Sequence, residues 1–271
     1  MSSNKMAFGA AGAVSNTKHP VLIAKHLATR FQNEDNFHLV PPQVIVGSGA
    51  DALAIELGIP IVANDELKSP QAVQMYEIAR SRLLALEEAS TEAEDPPIEP
   101  SDVPMDTVGC AYVSDTGPAE ATVSSGGMLL KADGRLGHST QFGSAIWAEQ
   151  RGRRSIAISV SGCGEVLTRT HFAQALAEAV FKASEDDMLP SAITSFYHKF
   201  IDSPTIAAFP AHRRVVGGIL IFKLGRTCEL AAFHNNARFA FAFHNGKSVK
   251  HFISELNANA PFVCNSFVVN L

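Results

Sequence analysis

Cysteine is scarce in this chain. Four residues, Cys110, Cys163, Cys228 and Cys264, are spread over 271 positions, and none forms a CxxC pair. That spacing excludes a disulfide framework and a cysteine-built zinc site, and it fits a reduced, intracellular setting, cytoplasmic or nuclear. Basic residues are few as well: 22 Lys and Arg against 27 Asp and Glu give a net charge of −5 and a pI of about 6.0. The basic clusters, Arg151-Gly152-Arg153-Arg154 and His212-Arg213-Arg214, read as solvated loops. A nucleic-acid surface is therefore not expected. No apolar run reaches membrane-spanning length, and no basic stretch followed by an apolar run opens the chain, so neither a membrane span nor a signal peptide is expected. The ten histidines show no HxxxH or HExxH spacing. His234, His244 and His251 read as core or surface residues, and no metal or other cofactor is expected. There is no internal repeat.

What is present is apolar. Hydrophobic residues make up 46% and charged residues 18%, enough for a sizeable core. The first part reads as mixed α/β. His19-Pro20 opens a helical pattern with Val21, Ala24, Leu27, Ala28 and Phe31 on one face. Val44-Ile45-Val46 reads as a short buried strand, followed by a helix from Ala50 to Leu57 that stops at Gly58. Ser69-Pro70 marks another helix start, an N-cap and a first-turn proline, with Val73, Tyr76, Ala79 and Leu83 facing inward.

Composition then changes. Residues 87 to 104 hold seven acidic side chains and four prolines, with no Lys or Arg. Such a stretch buries too little apolar surface to offset its ordering entropy and reads as a disordered linker. From Thr107 onward the texture is largely β. Val108, Cys110 and Tyr112 alternate with Gly109, Ala111 and Val113, Asp115-Thr116-Gly117-Pro118 turns, and Ala119 to Ser125 returns as a hairpin partner. Ser155 to Ser161 reads as a buried strand. A helix follows Gly164, with Val166, Leu167, Phe172, Leu176 and Val180 inward, and another spans Leu189 to Ile201. Val215 to Phe222, Glu229 to Phe233 and Phe239 to His244 read as a closing antiparallel meander, and Asn245-Gly246 is a turn.

Gly47-Ser48-Gly49-Ala50-Asp51-Ala52 fits a dinucleotide fingerprint, with Asp65 as the ribose acid. Space argues against it. A βαβ unit needs roughly 30 residues, and Val44 to Ala63 is too short a span for it. A structural glycine turn is the favoured reading.

A different set of motifs carries chemistry. Asp106-Thr107-Val108-Gly109 sits at the composition break. Ser124-Ser125-Gly126-Gly127, Gly134-Arg135-Leu136-Gly137 and Ser159-Val160-Ser161-Gly162-Cys163-Gly164-Glu165 follow in order. The last is strand, glycine turn and helix start, which aims backbone N–H groups at an anion or oxyanion. An arginine flanked by glycines suits a carboxylate clamp. A threonine hydroxyl is a weak nucleophile without a base beside it. At a chain start its own α-amine, with an ordinary pKa near 7.7–8.0, can be that base.

At these residues the chain resembles the threonine-type N-terminal-nucleophile hydrolases of the plant-type asparaginase group, and within it the taspase (threonine aspartase) branch. Val123-Ser124-Ser125-Gly126-Gly127 and Ser161-Gly162-Cys163-Gly164-Glu165 are similar to the taspase versions. Asparaginases more often carry Ser-Thr-Gly-Gly and Thr-Gly-Thr-Gly there. The resemblance covers nearly all of the chain and is densest from Asp106 to Arg169. It implies an α+β fold, a four-layer αββα sandwich of N-terminal-nucleophile hydrolase type. Residues 1–106 would be a partial α-subunit-like segment ending in the acidic linker at about 87–104. Residues 107–271 would be the β-subunit-like segment, the two forming one domain. It further implies self-cleavage of the Asp106–Thr107 bond, with Thr107 as nucleophile and Ser125 as the second hydroxyl that positions it. Ser161 and Gly162 would form the oxyanion hole, Arg135 would hold the substrate carboxylate, and Gly164 would supply a backbone contact beside it. The implied activity is endoproteolysis after aspartate in protein substrates such as nuclear transcription regulators, by a homodimer of αβ units.

Departures from the pattern keep other readings open. The family's opening strand and first helices have no counterpart, as in a partial gene model or truncated isoform. His138 replaces the aspartate that binds the substrate amine in asparaginases. Gly143-Ser144-Ala145 departs from a Gly-Cys-Gly-like turn, and a basic nuclear-import run is absent. The alternatives are an isoaspartyl peptidase or asparaginase, and a catalytically inactive relic serving as a dimer partner.

Overall fold

A computed structural model describes residues 1–32, 40–88, 106–184, 187–257 and 260–270. Most of the acidic linker predicted at 87–104 lies outside the described residues. The fold is mixed α+β, and the chain divides into two compact units. One holds Met1–Phe8, Thr107–Ser125 and Gly137–Leu271; the other holds Gly9–Asp106 and Gly126–Leu136.

The larger unit is built on a five-stranded antiparallel sheet. In chain order its strands are β5 (Ile146–Arg151), β6 (Arg154–Gly162), β7 (Val216–Leu224), β8 (Thr227–His234) and β11 (Val263–Asn270), arranged spatially as β11-β8-β7-β6-β5. The period-2 geometry of a strand explains how β6 serves two faces. Ile156, Ile158 and Val160 point one way, into the main apolar core. Ser155, Ala157, Ser159 and Ser161 point the other way.

Helices cover the apolar face. α4 (Gly164–Thr170), α5 (Phe172–Lys182), α6 (Leu189–Ile201) and the short α7 (Pro204–Ala207) contribute Val166, Leu167, Phe172, Leu176, Val180, Leu189, Ile193, Tyr197, Phe200 and Ile206 to that core. The buried positions of α5 recur at helical spacing, so its sequence could bury little without this face. One helix is predicted after Gly164, and the structure has two. His171 adopts a left-handed conformation (φ 45°) and separates α4 from α5. The N–H groups of Ala173 and Gln174, in the first turn of α5, donate to the carbonyls of Ser144 and Gly143 at 3.3 and 3.0 Å. The turn before β5 thus satisfies donors that a helix start leaves open.

The hydroxyl face of β6 meets the predicted hairpin, β3 (Val108–Val113) with β4 (Ala119–Ser124), which pairs from Val108↔Ser124 to Val113↔Ala119. Ser159 Oγ donates to the Thr122 carbonyl at 3.0 Å and Ser155 Oγ to the Gly117 carbonyl at 2.5 Å. Gly109 permits this approach, since a Cβ there would lie 2.0 Å from Ser159 Oγ. A second hairpin, β9 (Arg238–His244) with β10 (Val249–Glu255), turns at Asn245-Gly246 as predicted. Its Phe241 joins Leu230 and Ala232 in a separate cluster with Phe239, Phe243 and Phe267.

The smaller unit pairs two short parallel strands, β1 (Ala10–Gly12) and β2 (Val44–Val46), and carries α1 (Pro20–Gln32), α2 (Gly47–Glu56) and α3 (Pro70–Glu88). Its core is Ile23, Leu27, Leu53, Ala54 and Ile59. Three expectations need correction. On α1 the buried residues are Ile23 and Leu27, while Val21 is exposed. On β2, Val44 and Val46 are exposed and only Ile45 packs on the core. On α3, Val73, Tyr76 and Leu83 are 45%, 43% and 45% exposed rather than inward. Periodicity reports an apolar stripe, but it does not say what covers the stripe.

Candidate active site

Thr107 immediately precedes β3 and Ser125 immediately follows β4, so the hairpin register that pairs Val108 with Ser124 also brings these two residues together. Thr107 Oγ1 donates to Ser125 Oγ at 3.2 Å, and both side chains are half-buried. Such an arrangement partly orders a hydroxyl and gives its proton a neighbouring acceptor. In the smaller unit, the Gly126 N–H donates to the Asp106 carboxylate at 2.7 Å. Each residue of the Asp106–Thr107 pair is thus held by its counterpart in Ser125-Gly126.

Arg135 lies in the smaller unit beside Gly127, where an added Cβ would sit 3.4 Å from its Nη1. Ser161, Gly162, Gly164 and His138 belong to the larger unit with Thr107. Ser161 is 8% exposed, and its Oγ has no hydrogen-bond partner among the described residues. Gly162 ends β6 with φ +154°, and a Cβ there would fall 2.3 Å from the Val215 carbonyl oxygen. The next N–H, of Cys163, donates to that same carbonyl at 3.0 Å. The backbone at Gly162 therefore takes a conformation that a side chain would obstruct. Gly164 is buried as the first residue of α4. His138 is 4% exposed, in a single 3-10 turn spanning His138–Thr140.

Other candidate chemistries find less support. Burial pushes the Cys228 thiol up to about 11, and burial first, with Glu229 second, pushes Cys264 up to about 12. Neither is a thiolate near neutrality. Asp65, predicted to be no ribose ligand, pairs with Lys68 at 2.7 Å on an exposed turn. Asp51 is bound to Ser15, accepting from its N–H at 2.8 Å and its hydroxyl at 2.5 Å. Among the described residues no group of three His, Cys, Asp or Glu could hold a metal ion, and no helix is long and apolar enough to cross a membrane.

Sequence reasoning missed two polar features. His234 is wholly buried and bonds Ser254 Oγ through Nε2 at 2.8 Å, while Asn265 donates to the same oxygen at 2.9 Å. A lone histidine among phenylalanines gives no sign of this. The second is Ser144, fully buried, whose Oγ has no partner among the described residues. The only signal was the departure of its turn from the resembled pattern.

A family model described as Asparaginase (Asparaginase_2) matches residues 1–253. The chain belongs to the asparaginase type 2 family. Among curated members, it is 31% identical to the isoaspartyl peptidase of Salmonella typhimurium over 63% of this chain and 49% of that one. It is 30% identical to the isoaspartyl peptidase of Escherichia coli over 62% and 47% of the two chains. It is 26% identical to the probable isoaspartyl peptidase/L-asparaginase 2 of Arabidopsis thaliana over 64% and 54%. The chain thus spans about half the length of the curated relatives it matches. Family membership places it among the N-terminal-nucleophile hydrolases.

Proposed function

We propose that this chain is a self-processing hydrolase of aspartyl amide bonds with Thr107 as its nucleophile. The observation that carries the reading is the Thr107–Ser125 hydroxyl contact of 3.2 Å at the Asp106–Thr107 bond. In the precursor, Thr107 Oγ1 attacks the Asp106 carbonyl carbon, and its proton leaves by way of Ser125. The new C–O bond forms as the C–N bond breaks, and the amide nitrogen takes up the proton. Water then hydrolyses the resulting ester, giving an Asp106 carboxylate and restoring the Thr107 hydroxyl beside its α-amine, which the shift has freed. That amine is the base for subsequent substrates. Ser161 and Gly162 stabilise the oxyanion, and Arg135 holds a substrate carboxylate through its planar fork.

The relatives support β-aspartyl peptides and asparagine as substrates, since two carry the name isoaspartyl peptidase and a third the name isoaspartyl peptidase/L-asparaginase. One feature favours a second reading, an endopeptidase that cuts after aspartate. His138 stands, 4% exposed, where asparaginases place the aspartate that binds a free substrate amine. A site without that carboxylate suits a substrate whose α-amine is already in a peptide bond. The four-layer αββα arrangement and a homodimer of αβ units belong to this proposal as well.

The test is intact-mass spectrometry over a timed incubation, with Thr107→Ala as control. Fragments meeting at Asp106–Thr107 in the wild type alone support the nucleophile. A chain that stays whole, or a Thr107→Ala chain that still splits, overturns it. A β-aspartyl dipeptide, asparagine and a peptide with an internal Asp, offered to the processed protein, then separate the two substrate readings.

A further inference from the structure

Two buried hydroxyls in the larger unit have no hydrogen-bond partner among the described residues, Ser144 Oγ and Ser161 Oγ. Their exposures are 0% and 8%. A buried hydroxyl left unsatisfied costs about 1–3 kcal/mol, so two of them need an explanation. The strand register supplies one. β5 and β6 pair Ile146 with Ser159, and the ladder continues with the Val160 N–H donating to the Ala145 carbonyl at 2.8 Å. Ser144 lies one residue further, in the turn that leads into β5, and the same register extended would face it toward Ser161. Directly opposed cross-strand residues have Cβ atoms roughly 4.5–5.5 Å apart; if the turn holds Ser144 near that spacing, a rotation about χ1 brings the two hydroxyls into contact.

The backbone of Ser144 is already engaged. Its N–H donates to the Gln141 carbonyl at 3.2 Å, and its carbonyl accepts from Ala173 at 3.3 Å. Its position is therefore fixed from both sides, and the hydroxyl is the one group left to act. A serine hydroxyl has one hydrogen to donate and two lone pairs. If Ser161 gives its hydrogen to a neighbour, it has none for an oxyanion. If Ser144 donates to Ser161, the Ser161 hydrogen stays available and is polarised further.

We infer that Ser144 is a positioning residue for Ser161: its hydroxyl donates to Ser161 Oγ and keeps the Ser161 hydrogen aimed at the developing oxyanion. This rests on the proposed role of Ser161, while the proposed pairing of the two hydroxyls is argued from the extended register and from their burial without a partner among the described residues. Ser144 touches no reacting atom.

Wild type, Ser144→Ala, Ser161→Ala and the double variant test it, with Ser144→Cys as a near-isosteric control whose thiol is a weak donor. The first readout, urea unfolding midpoints, needs no activity. Coupled hydroxyls make the double variant lose less than the sum of the single losses, and strictly additive shifts overturn the pairing. The second readout is the rate of release of the Thr107 fragment, with kcat and KM for a β-aspartyl dipeptide and an internal-Asp peptide. Removing an oxyanion donor costs about 10²–10³ in kcat, the loss expected of Ser161→Ala. Ser144→Ala should lower kcat about tenfold, one hydrogen bond's worth, with KM unchanged and no further loss when Ser161 is already alanine. Ser144→Cys should resemble Ser144→Ala. If it matches wild type instead, side-chain volume is what counts and the inference fails. If Ser161→Ala slows the reaction and Ser144→Ala does not, the inference fails while the site reading stands. If Ser161→Ala is harmless, the oxyanion role fails, and the midpoints still decide whether the hydroxyls are paired.

Discussion

Thr107 and Ser125 bracket one hairpin, and the hydroxyl of the first donates to the hydroxyl oxygen of the second at 3.2 Å. The nucleophile candidate is therefore positioned by strand pairing rather than by a loop. Positioned proton transfer contributes typically 10²–10⁴-fold, so Ser125→Ala should slow fragment release by about 10²-fold without stopping it. Thr107→Ala should stop it, and Thr107→Ser should retain it. Timed intact-mass spectra distinguish the three, and wild-type speed in Ser125→Ala would remove Ser125 from the mechanism.

Gly162 should tolerate no side chain. With φ at +154° and a Cβ position 2.3 Å from the Val215 oxygen, Gly162→Ala must shift backbone on two strands. A strained backbone of this kind costs about 1–3 kcal/mol. Urea denaturation should show the lower midpoint, and an unchanged midpoint would mean the turn relaxes freely.

His234 should make stability pH-dependent. Burial lowers its pKa from the ordinary 6.5, opposed in part by a hydrogen bond to the Asn236 carbonyl. The unfolded chain therefore binds the proton more readily than the folded one. The stability from neutral His234 is fully present above pH 6.5 and declines as pH falls toward the lower folded value. His234→Gln should flatten the unfolding free energy between pH 7 and 5 relative to wild type. The same slope in both proteins would assign it to other groups.

Two leucines in the smaller unit should behave oppositely. Leu27 is wholly buried, and Leu83 on α3 is 45% exposed. Leu27→Ala should cost about 2–5 kcal/mol. Leu83→Glu should fall within about 0.5 kcal/mol, as surface substitutions do. A large loss from Leu83→Glu in thermal melts would show that α3 packs against something in solution.

These contrasts mark where the sequence was legible. The buried face of α5 was readable because Phe172, Leu176 and Val180 recur every four residues and all point into one core. The bounds of α6 and the existence of the β3–β4 hairpin followed from the sequence, the hairpin from its Gly-Pro turn. β10 and β11 went unread: Val249–Glu255 buries only Ser254, so no alternation marks its inner face. The α3 face was misread because amphipathic spacing is a property of one helix, whereas burial needs a neighbour. At the candidate site, Thr107, Ser125 and Arg135 were named from motif order, and the structure brings Thr107 and Ser125 together. Neither the buried state of the Ser144 hydroxyl nor its proposed pairing with Ser161 has a local signature, since both depend on how the turn before β5 packs beside β6.

The two-faced strand β6 has one more implication. Ile156, Ile158 and Val160 alternate with Ser155, Ser159 and Ser161. A slip of one residue would turn the serines toward the phenylalanines of the helices and the isoleucines toward the hairpin. Burying the apolar half correctly and presenting Ser161 correctly are therefore the same event. A copy that assembles its sheet out of step forfeits stability and the placement of Ser161 together. If the chain cuts itself at Asp106–Thr107 as proposed, this coupling is a safeguard: only a correctly assembled molecule has the parts to make the first cut.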